Sequence, residues 1–115
     1  MSERDYTDFI QDIIDAIKSI NTFIANMSFE DFSQDDKTIS AVTRKFEIIG
    51  EAANRIPKFL QKKYKEIPWS YMIGMRNKII HDYDGINLMI IFDSAKEDLK
   101  NLLPLLEKIK LWKNL

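Results

Sequence analysis

The apolar residues near the start of the chain recur at helical spacing, and that spacing constrains the fold more than any other feature. They fall at Tyr6, Phe9, Ile10, Ile13, Ile14, Ile17, Ile20 and Ile24, steps that lay one broad stripe along an α-helix. The stripe predicts a helix from Asp5 to Ala25. Ser28 followed by Asp31 has the form of a capping box, so a short helical turn should follow, with Phe29 and Phe32 folded back on the first helix. After the pair Asp35-Asp36, whose carboxylates suit a helix N-terminus, Ile39, Val42, Phe46, Ile49 and Ala53 mark a second long apolar face. Gly50 lies inside that helix, where it costs about 1 kcal/mol against Ala. A close crossing by another helix accounts for it.

Pro57 marks a stop or a restart, and Lys58 to Glu66 reads as a short helix with Phe59, Leu60 and Tyr64 inward. Pro68 suits the first turn of a fourth helix, where its missing N–H is not needed. That helix carries Trp69, Met72, Ile73, Arg76, Ile79 and Ile80, with Gly85 as its terminator. Asn87 is placed to cap a fifth helix reaching Trp112, with Leu88, Ile91, Phe92, Ala95, Leu99, Leu102, Leu106 and Ile109 on one stripe. Pro104 falls inside it and should kink or split it. With only three Gly and three Pro, an all-β fold with many tight turns is disfavoured. No repeat or linker interrupts the pattern. The expectation is a single all-α domain over residues 1–115, an up-and-down bundle of four to five helices.

Composition removes several kinds of chemistry. The chain has no cysteine, which excludes disulfides, thiolate catalysis and Cys-based zinc sites. Its single histidine excludes a His-rich metal cage within one chain. The formal net charge is −1, whereas a protein gripping long duplexes over its whole surface is normally more basic. Contact with nucleic acid should therefore be local, in a cleft, and with a short or single-stranded stretch. The N-terminus lacks the apolar core of a signal peptide. The longest purely apolar run, Leu88 to Phe92, is far short of the ~20 residues that span a bilayer. The chain reads as cytoplasmic, without a membrane.

The one histidine stands in the segment Arg76-Asn77-Lys78-Ile79-Ile80-His81-Asp82-Tyr83. Four positions advance a helix by ~400°, so Asn77 and His81 share a stripe, while Arg76 lies ~140° from His81. A proton-transfer group, a fixed cation, an amide and a phenol thus occur within about two turns. Those groups suffice to cleave RNA without a metal. Attack of a 2′-hydroxyl on its own phosphate needs a base and an acid, and an imidazole with a pKa near 6.5 serves as either. A guanidinium fork stabilises the charge gathering on phosphorus. One histidine per chain does not easily fill both roles, whereas a C2 dimer brings two copies of His81 and Arg76 to one cleft. Against this stands the plainer reading of a surface helical histidine and a core tyrosine, because the bare spacing arises by chance in many proteins.

The wider stretch Ile67-Pro68-Trp69-Ser70-Tyr71-Met72-Ile73-Gly74-Met75-Arg76-Asn77-Lys78-Ile79-Ile80-His81-Asp82-Tyr83 resembles the signature of the HepT family of HEPN-superfamily toxins. Ile49-Gly50-Glu51-Ala52-Ala53-Asn54-Arg55-Ile56 and the final helix with Leu103-Pro104-Leu105 are similar to that family too. The resemblance covers essentially the whole chain. It implies a HEPN-type helical-bundle homodimer, with ribonuclease activity and two motifs at the subunit interface. It also implies an MntA-type minimal nucleotidyltransferase antitoxin that silences the toxin by AMPylation of the motif tyrosine, here Tyr83. On this reading Arg76 and His81 cleave, Asn77 positions, and Tyr83 is the off-switch; no cofactor or metal is called for. Two rivals are a catalytically silent HEPN module binding nucleotide or RNA beside a nucleotidyltransferase, and a plain interaction bundle.

Other residues carry alternatives. Glu51 either orients Arg76 or an Asn amide, or is an exposed helical carboxylate. Lys58, Lys62, Lys63 and Lys65 either track RNA backbone, meet an acidic antitoxin face, or form a solvated helix face. Trp69 and Tyr71 either stack a base or anchor the packing. Met72, Met75 and Met89 fit core or dimer surface. Gly74 is placed to let two helices meet closely at a dimer axis. Asp82 and Asp84 either hold His81 protonated or repel RNA until the dimer supplies basic groups.

Overall fold

The structure is a computed structural model and describes residues 5–81 and 87–113. The first helix, α1 (Tyr6–Ile24), begins on a capping box: the Asp5 carboxylate accepts the Thr7 N–H at 2.8 Å, and the Asp5 N–H donates to Asp8 at 3.2 Å. Just past its end Asn26 takes φ 65°, a left-handed turn that Asn tolerates better than most residues. The expected box at Ser28 also forms, with reciprocal 3.1 Å bonds to Asp31, and starts α2 (Phe29–Ser33). Phe32 is buried in the core that α1 lines, and Phe29 packs against that core. Their rings pack on Phe92, at centroid distances of 5.9 and 5.2 Å, so the short helix ties the middle of the chain to its C-terminal part.

Helix α3 (Asp36–Arg55) is capped by Asp35, which accepts the Thr38 N–H at 3.0 Å. That bond and the one from the Thr38 hydroxyl hold the Asp35 carboxyl below its ordinary range. Val42, Phe46, Ile49 and Ala53 are all buried, as their spacing predicts. Helix α3 packs against α1 and against α5 (Trp69–His81), while α1 also packs against α7 (Leu99–Lys113). The order across the bundle is therefore α5, α3, α1, α7. Burial of apolar stripes from four helices against one another is the main source of stability.

Between α3 and α5 lies α4 (Lys58–Lys63), shorter than the expected span to Glu66. The Gln61 amide fixes it by donating to the carbonyls of Ala53 and Ile56, at 3.3 and 3.0 Å, at the C-terminal end of α3. Of the two adjacent apolar positions on this helix, one faces inward. Leu60 takes that place, and Phe59 is 69% exposed, a correction to its predicted inward side. Pro68 stands just before α5, and Trp69 is buried with its indole N–H donating to the Tyr64 carbonyl at 3.1 Å. Trp69 is thus a packing anchor.

The C-terminal helix starts at Asn87, whose side chain accepts the Met89 N–H at 2.9 Å. It runs as α6 (Leu88–Asp93), a π-helical turn (Ser94–Asp98), and α7. The helix is not split at Pro104, one of the two outcomes that the sequence suggested. Helix α7 continues through Pro104, which faces solvent, so its ring displaces no packed side chain. The widened turn instead carries Ser94 and Asp98, and the Tyr71 hydroxyl hydrogen-bonds Ser94 and also Asp98, the latter at 3.3 Å. Burial pushes the Tyr71 phenol above its ordinary range, with the Ser94 bond opposing and the Asp98 carboxylate adding. Tyr71 therefore stays protonated at neutral pH and ties α5 to the turn. The predicted terminator Gly85 lies outside the described residues, as does the side chain of Trp112. Among the described residues there is no strand, and no helix is long and apolar enough to cross a membrane.

Candidate active site

Helix α5 has two faces. Trp69, Met72, Met75 and Ile79 are buried, while Ser70, Gly74, Asn77 and Lys78 are exposed. Arg76 lies between these faces and is half-buried. Its position depends on the neighbouring helix, because α3 crosses α5 at Gly50. A Cβ added there would lie 2.1 Å from the Arg76 Cβ and 2.9 Å from the Met72 carbonyl oxygen. Only a residue without a side chain allows so close an approach, which is the crossing that a mid-helix glycine implied.

The crossing opens a cleft of about 210 Å³, walled by Glu51, Asn54 and Arg55 of α3 and by Ile73, Arg76 and Asn77 of α5. Two guanidinium groups, two amides and one carboxylate share this small space. The Arg76 Nη1 donates to the Asn77 Oδ1 at 3.1 Å, whereas its Nε is buried without a hydrogen-bond partner. A buried donor left unmatched costs on the order of 1–3 kcal/mol, and no described carboxylate forms an ion pair with Arg76. A cationic fork with unused donors in a polar cleft suits an anion, phosphate above all. Among the described residues no three His, Asp or Glu side chains gather as a metal site.

Of the residues singled out in the sequence, Arg76, Asn77 and Glu51 meet in this cleft. Glu51 is exposed and lines the wall without bonding Arg76. His81 is the last residue of α5, so the backbone register from Asn77 to His81 is one unbroken helix. Its side chain lies outside the described residues, as do Tyr83, Asp82 and Asp84. The sequence reading missed Asn54 and Arg55. Their signal was the spacing of three and four from Glu51, which puts all three on one helical face. Arg55 also sits over the Phe9 ring, 5.9 Å from its centroid, and with Glu51 it extends into an adjoining cleft of about 300 Å³.

The chain matches the family model described as Ribonuclease HepT-like over residues 13–109. It belongs to that family, a HEPN-superfamily branch of ribonucleases. It is 41% identical over 108 residues to "Probable ribonuclease HepT" of Thermococcus cleftensis, covering 94% of this chain and 98% of the relative. It is also 38% identical over 109 residues to "Putative RNase MJ0127" of Methanocaldococcus jannaschii, covering 95% of this chain and 90% of that one. No solved structure matches the chain.

Proposed function

We propose that this chain is the ribonuclease toxin of a toxin–antitoxin pair, cleaving RNA at a cleft centred on Arg76. The observation that carries the reading is the Arg76 guanidinium, held at the α3–α5 crossing with its buried Nε–H unmatched. In the proposed reaction one imidazole takes the proton of a ribose 2′-hydroxyl as its oxygen attacks phosphorus. The bond to the 5′-oxygen breaks, and a second imidazole returns a proton to that oxygen. The products are a 2′,3′-cyclic phosphate and a 5′-hydroxyl. Arg76 stabilises the charge on the pentacoordinate phosphorus, and Asn77 holds the guanidinium in place. Since each chain has one histidine, the two imidazoles are His81 from two copies in a C2 dimer. The exposed apolar side chains Ile80, Met89 and Ile90, 40, 43 and 47% exposed, offer surface for that association.

The switch follows the same chemistry. A nucleotidyltransferase antitoxin transfers AMP from ATP to the Tyr83 hydroxyl, the phenol losing its proton and pyrophosphate leaving, and the appended phosphate occupies the cation that substrate phosphate needs. RNA incubated with the protein in EDTA should still be cut and should yield cyclic-phosphate ends. Cleavage abolished by the chelator refutes the mechanism. Mass spectrometry of the chain co-expressed with its partner should show added AMP at Tyr83, and an unmodified Tyr83 in a silenced complex overturns the switch.

The dimer makes a prediction at Gly74. This residue is exposed, and an added Cβ would meet nothing within 4 Å in the single chain. Gly74→Ala should therefore stabilise the helix by up to about 1 kcal/mol, raising the melting temperature of dilute protein. If two copies of α5 approach at this point, the same change weakens self-association measured by sedimentation. A dimer constant unaffected by the substitution removes Gly74 from the interface.

A further inference from the structure

The lysine run of the sequence is not one uniform face. Lys58, Lys62 and Lys65, spaced by four and three, line a groove of about 440 Å³ with Gln61 of α4 and Ser70 and Tyr71 of α5. Lys63 departs from them and lies over the Tyr64 ring, 5.5 Å from its centroid. No described carboxylate lines the groove, and none of the three lysines forms an ion pair with one. In a chain of net charge −1, this is a local concentration of positive charge. Its position matters as much as its sign. Ser70, on the rim of the groove, and Ile73 and Asn77, on the wall of the Arg76 cleft, follow one another at spacings of three and four on α5. They form a single stripe, and Ser70 and Asn77 are about 10 Å apart along the helix axis. The groove and the cleft thus open along the same face of the same helix.

We propose that this groove holds the phosphate backbone of the RNA strand next to the linkage lying at Arg76. The proposal rests on the ribonuclease reading of the Arg76 cleft and extends it by naming the residues that grip the flanking strand. Three ammonium groups in a row, none paired with a described carboxylate, suit a repeating monoanion. An extended single strand can follow the stripe from Asn77 to Ser70, whereas a dinucleotide has only the one linkage that lies at Arg76. An acidic protein surface is the other polyanion of matching charge, but the stripe from Ser70 to Asn77 favours a strand that also reaches the Arg76 cleft.

The test combines Lys58→Gln, Lys62→Gln and Lys65→Gln in the full chain. All three lysines are exposed, so the variant should fold. A control variant changes Lys37, Lys100 and Lys108, exposed lysines on other helices, to Gln and matches the loss of charge. Binding of a non-cleavable 2′-O-methyl strand of roughly ten nucleotides is read by fluorescence anisotropy across a salt series. The groove variant should bind about tenfold more weakly at moderate salt. The slope of log affinity against log salt should fall by about 2, as expected for three single-strand phosphate contacts. Cleavage of a dinucleotide should stay at the wild-type level, and the control variant should behave as wild type. Unchanged strand affinity and slope overturn the proposal. So does a groove variant that keeps strand binding but loses its nucleotidyltransferase partner, which makes the groove a protein-docking site. If the wild type grips the strand through the groove yet cuts no RNA, the groove assignment stands and the catalytic reading of the cleft falls.

Discussion

Arg76→Ala should lower the rate of RNA cleavage by about 10²–10³-fold, the usual effect of removing one preorganised stabiliser of transition-state charge. The guanidinium is fixed before substrate arrives: its stem lies against the α3 crossing at Gly50, and its Nη1 is bonded to Asn77. Little reorganisation remains for the moment of reaction, so the loss should fall chiefly on turnover rather than on substrate affinity. Fold stability should change little, because Ala keeps the Cβ that meets α3 and removes a buried donor with no partner. Arg76→Lys keeps the charge but cannot present a two-point fork, and it should restore only part of the rate. His81→Ala should cost about 10²–10⁴-fold, the range for general acid–base groups. Single-turnover rates with saturating enzyme measure all three. An Arg76→Ala enzyme that turns over at nearly the wild-type rate would remove this cleft from the chemistry.

Much of this arrangement can be read from residue spacing, and the exceptions have identifiable causes. The long stripes of α1, α3 and α7 are legible because each repeats its apolar period over several turns, so misplacing one residue does not move the face. The caps at Ser28 and Asn87 are legible because a short polar side chain before an apolar run has one efficient use. Phe59 shows the opposite case. On a six-residue helix the period does not decide which of two neighbours faces inward, and the Gln61 bonds to α3 settle it. The π-helical turn leaves no local trace in the sequence. It occurs where Ser94 and Asp98 meet Tyr71, residues 23 and 27 positions away along the chain. Pro104 misled for a related reason: proline opposes helix locally, but packing of Leu99, Leu102, Leu106 and Ile109, all buried, carries α7 through it. At the site, Arg76 and Asn77 stood out in the sequence, and the structure brings them into one cleft. Arg55 did not stand out, because an arginine near a helix end is ordinary until a second helix turns it into the wall of a cleft.

Gly50→Ala should harm stability and activity together. In most exposed helix interiors the substitution adds about 1 kcal/mol of stability, the direction predicted above for Gly74. At Gly50 the new Cβ would stand 2.1 Å from the Arg76 Cβ, 2.9 Å from its Cγ and 2.9 Å from the Met72 carbonyl oxygen. The Cγ can swing away, but the Cβ and the carbonyl are fixed by the backbone of α5, so relief requires α3 and α5 to separate. Overpacking of a rigid contact typically costs about 1–3 kcal/mol, and here it exceeds the helix-propensity gain. A net loss near 2 kcal/mol lowers the melting temperature by roughly 10 °C in a domain of this size. Separation of the helices also shifts Arg76 relative to Asn54 and Glu51 across the cleft. A displacement of about 1 Å is enough to reduce turnover on the order of 10²-fold. Calorimetry and cleavage assays on Gly50→Ala and Gly74→Ala together make the measurement. The two glycines share a residue type and a mid-helix setting, so opposite signs in melting temperature isolate the crossing as the cause. A Gly50→Ala protein that melts and cleaves like the wild type means that α3 and α5 do not meet at this point, and the Arg76 cleft has no wall to form it.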